Sequence, residues 1–120
     1  MQANEADALS KTTRINLLFD FYEPLLTEKQ RTFLKYYFHD DYSLGEISAE
    51  SGISRQAVYE HIKRAEQVLE GYESKLSLLS RHTEQQLLTD QLAQGIGGLV
   101  IDEQDKARLL DMINRLGRME

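Results

Sequence analysis

The chain has 120 residues, 41% of them hydrophobic and 28% charged, with a formal net charge of −6. That length gives one folding unit of modest core, no apolar run approaches the roughly 20 residues a membrane-crossing helix needs, and an acidic total excludes a protein whose whole surface greets phosphates. Cysteine is absent, which excludes disulfides, zinc fingers and thiol nucleophiles together.

Residues 1–10 are polar and carry Glu5 and Asp7 where a secretory signal needs basic residues and then an apolar stretch. A flexible start and a cytoplasmic protein are the expectation. Ile15, Leu18, Phe19 and Tyr22 then fall on one face of a first helix, with Thr12 or Thr13 available as its cap and Pro24 ending it near Glu23. Thr27 and Gln30 form a capping box, opening a second helix whose buried stripe is Phe33, Leu34, Tyr37 and Phe38. Asp40 and Asp41 mark a loop. Ser43 and Glu46 make another capping box for a short third helix with Leu44 and Ile47 inward.

Gly52 permits the positive φ of a helix C-terminus, and Ser54 immediately caps a fourth helix, so the chain must turn tightly between them. From Ser54 the helical pattern runs on for about seven turns, with Val58, Ile62, Ala65, Leu69, Tyr72, Leu76 and Leu79 alternating steps of four and three as in a heptad seam. The first and last helices could fold back over this seam, but its length exceeds what a three-helix module can bury, which predicts a homodimer through Leu69, Tyr72, Leu76 and Leu79; Gly71 and Tyr72 weaken it or mark a bend. A further helical stretch contains Leu87, Leu88 and Leu92, followed by a glycine-rich break at Gly95, Gly97 and Gly98. Asp102 caps a last helix with Leu109, Met112, Ile113 and Leu116 inward.

The predicted fold is therefore all-α, with a flexible stretch at 1–10, an N-terminal helix plus a helix-turn-helix at 11–65 (the helix-turn-helix itself at 27–65), and a long-helix continuation with a helical C-terminal extension at 66–120 in the same folding unit. Such a motif needs a sharp turn, small residues where its helices touch and polar side chains outward, so that its second helix can enter a groove about 12 Å wide. Gly52 supplies the turn, Ser48 and Ala57 the close approach, and Leu44, Ile47, Ile53, Val58 and Ile62 the inward contacts. The outward set is Arg55, Gln56, Tyr59, Glu60 and Lys63. Arginine grips guanine, glutamine pairs with adenine, glutamate accepts from cytosine, and lysine neutralises a phosphate. Arg55 stands at the helix start, where the helix dipole disfavours a cation, which points to a use other than stability. Ser43 and Ser54 sit at helix N-termini suited to phosphate, and Lys29, Arg31 and Lys35 add backbone contacts. Net charge agrees in its distribution: residues 1–26, 27–65 and 66–120 carry −2, 0 and −4, so the acid excess lies outside the motif.

The segments LTEKQ, YSLGEIS, SGISRQAVYEHIKRAE and KTTRINLLFDFYEPLLT resemble the YlxM family of small bacterial proteins, which in turn looks like sigma factor region 4. The resemblance covers residues 11 to about 80. It implies a helical fold with a sigma-like helix-turn-helix, and a setting beside the signal recognition particle pathway of Gram-positive bacteria, which such proteins are described as regulating. One departure is Ser51, in a slot before the turn glycine that is usually apolar. The resemblance leaves two functional readings: a regulator binding DNA or a structured RNA, or an accessory factor contacting signal recognition particle proteins through its acidic C-terminal half.

Other groupings are weak. His39, His61 and His82 are scattered, and His39 with Asp40 and Asp41 reads as a solvated loop instead of a metal site. Gly95 to Gly98 lacks the following lysine and hydroxyl of a phosphate-gripping loop. No serine, histidine and carboxylate set assembles, so neither catalysis nor a cofactor is expected.

Overall fold

The computed structural model describes residues 2–119 and the side chains of residues 7–119. Its regular structure is helical throughout, with no strand among the described residues: α1 (Gln2–Tyr22), α2 (Glu28–Leu34), α3 (Leu44–Ser51), α4 (Arg55–Leu76), α5 (Leu78–Gly97) and α6 (Glu103–Arg118). No helix among the described residues is long and apolar enough to cross a membrane. The chain divides into two compact units, Met1–Ser77 and Leu78–Glu120, a boundary inside the stretch 66–120 that the sequence carries as one continuation.

In the first unit, α1 is helical from Gln2, so Thr12 and Thr13 lie inside it and neither caps it. Ala3, Ala6, Ala8 and Leu9 are strong helix formers, and no local cap is needed once α1 is anchored further on. Ile15, Leu18, Phe19 and Tyr22 supply that anchor, all buried, and Pro24 converts the helix into a single 3-10 turn at Glu23–Leu25. Thr27 opens α2 through a complete capping box, its hydroxyl accepting from the Gln30 amide at 3.2 Å while its own amide donates to the Gln30 side chain at 2.9 Å.

After Leu34 the backbone widens into a π-turn at Lys35–His39. The wider turn shifts the phase of the buried stripe, so Phe38 is buried beside Phe33 and Leu34 while Tyr37, expected inward, is exposed. A second capping box, Ser43 with Glu46, starts α3, and Gly52 ends it at φ 73°. Ser54 then caps α4 by accepting from the Ala57 amide at 3.1 Å. Val58, Ile62, Ala65 and Leu69 of α4 complete the core against α1, α2 and α3.

The helix is continuous through Gly71 and stops at Ser77, which takes a left-handed φ of 56°, so α4 is shorter than the seven turns the pattern predicts and Leu79 belongs to α5. Tyr72 is turned into the first unit, its hydroxyl donating to the Leu25 carbonyl at 3.1 Å and its ring 5.8 Å from that of Tyr22. The buried Tyr22 hydroxyl donates to the Glu73 carboxylate at 2.6 Å, pinning the end of α1 to the far part of α4.

The second unit is an antiparallel hairpin. The Gln85 and Gln86 side-chain amides, near the middle of α5, donate to the carbonyls of Leu116 and Gly117 at 2.6 and 2.7 Å, and Lys106 near the start of α6 reaches the Gly97 carbonyl at 3.4 Å. Asp102 caps α6 as the sequence predicts. The glycine-rich break falls late in its stretch: α5 continues through Gly95 and ends at Gly97, with Gly98 in the turn that follows. One expectation fails here. Leu109, Met112, Ile113 and Leu116 are not buried, because α5 covers only one side of α6.

Candidate nucleic-acid interface

Gly52 gives the site its shape. Its left-handed backbone reverses the chain between α3 and α4, and the hydroxyl of Ser48 donates to the Ile53 carbonyl to hold the loop closed. Ser51 does not disturb the packing, because its hydroxyl donates to the Ile47 carbonyl one turn back at 2.6 Å. Ile47, Val58 and Ile62 fasten the two helices from inside, with Leu44, Ser48, Ile53 and Ala57 half-buried around them. The first turns of α4 are thereby presented forward with their polar face open.

On that face Arg55, Gln56, Tyr59 and Glu60 are all exposed, and Lys63 is half-buried. The Arg55 guanidinium lies over Gly45 of α3, so near that a Cβ there would stand 3.0 Å from it. Gln56 donates to the Glu60 carboxylate at 3.3 Å, one turn on. The Lys63 ammonium sits 5.5 Å from the centre of the Tyr59 ring and 3.8 Å from Glu66. Ser43 and Ser54 are exposed, with their hydroxyls engaged by the first amides of α3 and α4.

Lys11 of α1 belongs to this neighbourhood although the sequence does not single it out. Its ammonium pairs with the largely buried Glu66 at 2.9 Å. Lys11 presses on Lys63 and, with burial adding, holds its pKa below the usual lysine value against the pull of Glu66. Two ammonium groups thus share one carboxylate and leave a net positive charge at the flank of α4. Nothing local in the sequence marks Lys11, because its contact depends on how α1 packs.

The basic residues of α2 are divided. Lys29 lines a groove between α2 and α4 with His61 and Arg64. The His61 ring stacks on Phe33 with centroids 5.2 Å apart, and burial, then Lys29 and Arg64, push its pKa down from 6.5. Arg31 instead donates to the Leu26 carbonyl at 2.7 Å and braces the turn before α2. Lys35 is exposed at the start of the π-turn.

An all-α fold in which two capped helices meet at a left-handed glycine, the second with an open polar face, defines a protein of the helix-turn-helix class. The chain belongs to the UPF0122 family, described as "Putative helix-turn-helix protein, YlxM / p13 like", whose model matches residues 9–112. It is similar to UPF0122 proteins from Lactiplantibacillus plantarum, at 47% identity over 93% of this chain and 95% of the relative, and from Listeria innocua, at 50% over 87% and 96%. A UPF0122 protein of Bacillus thuringiensis is 48% identical over 90% of this chain and 98% of its own length.

Proposed function

We propose that this protein is a non-catalytic regulator that binds DNA or a structured RNA through the open face of α4. Ser54, Arg55, Gln56, Tyr59, Glu60 and Lys63 meet bases and phosphates, and Ser43, Lys29 and Arg31 lie to the side. The observation that carries the reading is the state of Arg55: exposed at the mouth of the turn, with no carboxylate pairing with it among the described residues. A structural arginine at a helix N-terminus opposes the dipole and normally finds an acid; an unpaired one is available to a phosphate or a guanine edge. Membership of a family described as helix-turn-helix supports the same reading. The resemblance to YlxM proteins suggests the signal recognition particle pathway as the regulated process; the protein is expected to act in the cytoplasm, and the long apolar seam of the sequence suggests a homodimer.

A second reading has one observation in its favour: residues 66–120 carry a net −4, suited to a basic protein partner among signal recognition particle components. The two separate when labelled duplex DNA and signal recognition particle RNA are titrated at several salt concentrations. The first reading expects binding that weakens steeply with salt, with a slope that flattens in an Arg55→Ala, Lys63→Ala double variant. Absence of binding to either nucleic acid, with capture of a particle protein, favours the second.

A further inference from the structure

Helix α6 is amphipathic along its whole length, yet none of its described residues is buried. The residues it turns towards α5 are Leu110, Ile113 and Gly117, and α5 answers with Thr89 and Ala93; Gly117 approaches closely enough that a Cβ there would touch Thr89 at 3.6 Å. Immediately before each of these five stands a large apolar residue: Leu88, Leu92, Leu109, Met112 and Leu116, at 52, 51, 36, 54 and 46% exposure. A step of one residue rotates a side chain by about 100° around a helix. Because α5 and α6 run antiparallel, that rotation carries both outer stripes to the same side of the hairpin. The result is one continuous apolar face of roughly 450 Å², as large as the largest patch a typical monomer exposes. Leu88, Leu92, Gly95 and Ile96 shape a groove of about 320 Å³ within it, where the missing side chain of Gly95 leaves room for another.

The charges bordering this face identify its occupant. Asp105, Arg108, Asp111 and Arg115 run along α6 beside the apolar stripe with alternating sign, paired within the helix as Arg108 with Asp105 and Arg115 with Asp111. Read backwards, the series has the opposite sign at each place. A two-fold axis crossing α6 near Leu109 sets Asp105 opposite Arg115, and Arg108 opposite Asp111, of a second α6. The rim is therefore complementary to itself in antiparallel pairing, as an isologous interface requires. With that rim added, the surface approaches the ~800 Å² per partner of a stable complex. The α4 seam offers no comparable surface, since Leu69 and Leu79 are buried and Tyr72 is bonded to Leu25.

We infer that the α5–α6 hairpin is the homodimer interface, pairing with the same hairpin of a second copy in a four-helix arrangement seated on Met112 and Leu116. This rests on the self-association in the proposed function and not on nucleic-acid contact, so failure to bind DNA or RNA leaves it standing. Sedimentation equilibrium of the full chain without nucleic acid tests it. The native chain is expected to be dimeric at tens of micromolar, and Met112→Glu with Leu116→Glu to raise the dissociation constant at least about a hundredfold with unchanged helical circular dichroism. Reversal of Arg108 and Arg115 to Asp weakens the dimer, and adding Asp105→Arg and Asp111→Arg restores it; this pair of variants decides the matter should the glutamate variant unfold. A native chain monomeric at ~100 μM, a dimer broken by Leu76→Glu but not by the α6 changes, or a charge swap that fails to restore association would overturn it.

Discussion

Arg55 owes its place to Gly45. With 3.0 Å between a Cβ at that position and the guanidinium, Gly45→Ala pushes the arginine off its resting site while improving the helix propensity of α3. Stability should rise by about 0.5–1 kcal/mol as nucleic-acid affinity falls, opposite signs that thermal melts and binding titrations will separate. His61 gives a pH prediction. Its folded pKa lies below 6.5, so the unfolded chain holds more protons once the pH drops under that value. Its contribution is intact above 6.5 and declines as the pH falls through the folded pKa; His61→Gln should flatten that part of a stability–pH curve measured by denaturant unfolding. At this scale the exposed face of α4 was legible, because helical spacing alone assigns Arg55, Gln56, Tyr59 and Glu60 to one side. Lys11 was not, since its contact with Glu66 lies far along the sequence, nor was the bracing role of Arg31, which depends on how the turn between α1 and α2 folds.

Helices α2, α3, α4 and α6 begin where their caps say they should. Thr27, Ser43, Ser54 and Asp102 each accept from an amide three residues on, chemistry so local that neighbouring residues suffice to read it. Ser43→Ala should cost about 1 kcal/mol in chemical denaturation and loosen α3. Gly52→Ala, at φ 73°, should also cost about 1 kcal/mol and weaken binding by tilting α4. Where no special residue announces the event, the sequence misleads. The π-turn after Leu34 takes Tyr37 out of the core without a glycine or proline, and α4 ends on a left-handed serine that an apolar heptad count runs straight through. Ser77→Gly relieves that backbone and is expected to add up to about 1 kcal/mol.

At the scale of the molecule, the core lies in the first unit, and the second is a hairpin with little interior of its own. Leu69 marks the change, being the last fully buried position of the α4 seam. A chain ending at Ser77 should keep cooperative thermal unfolding and the salt-dependent binding of a single site, and should lose self-association. The apolar content of α5 and α6 was plain in the sequence, but its burial was not, because periodicity records which side of a helix is apolar and not whether anything covers it. That is why Leu109 and Leu116 read as core and stand half exposed.

Nitrogen-15 NMR titration of the native chain with a short duplex or a structured RNA reports directly on where such a ligand lies. The largest amide shifts are predicted between Ser54 and Lys63, with smaller ones at Lys11, and none along α5 or α6. Shifts confined to the hairpin, or a spectrum left unchanged by both nucleic acids at low salt, would contradict the assignment of α4 as the binding surface.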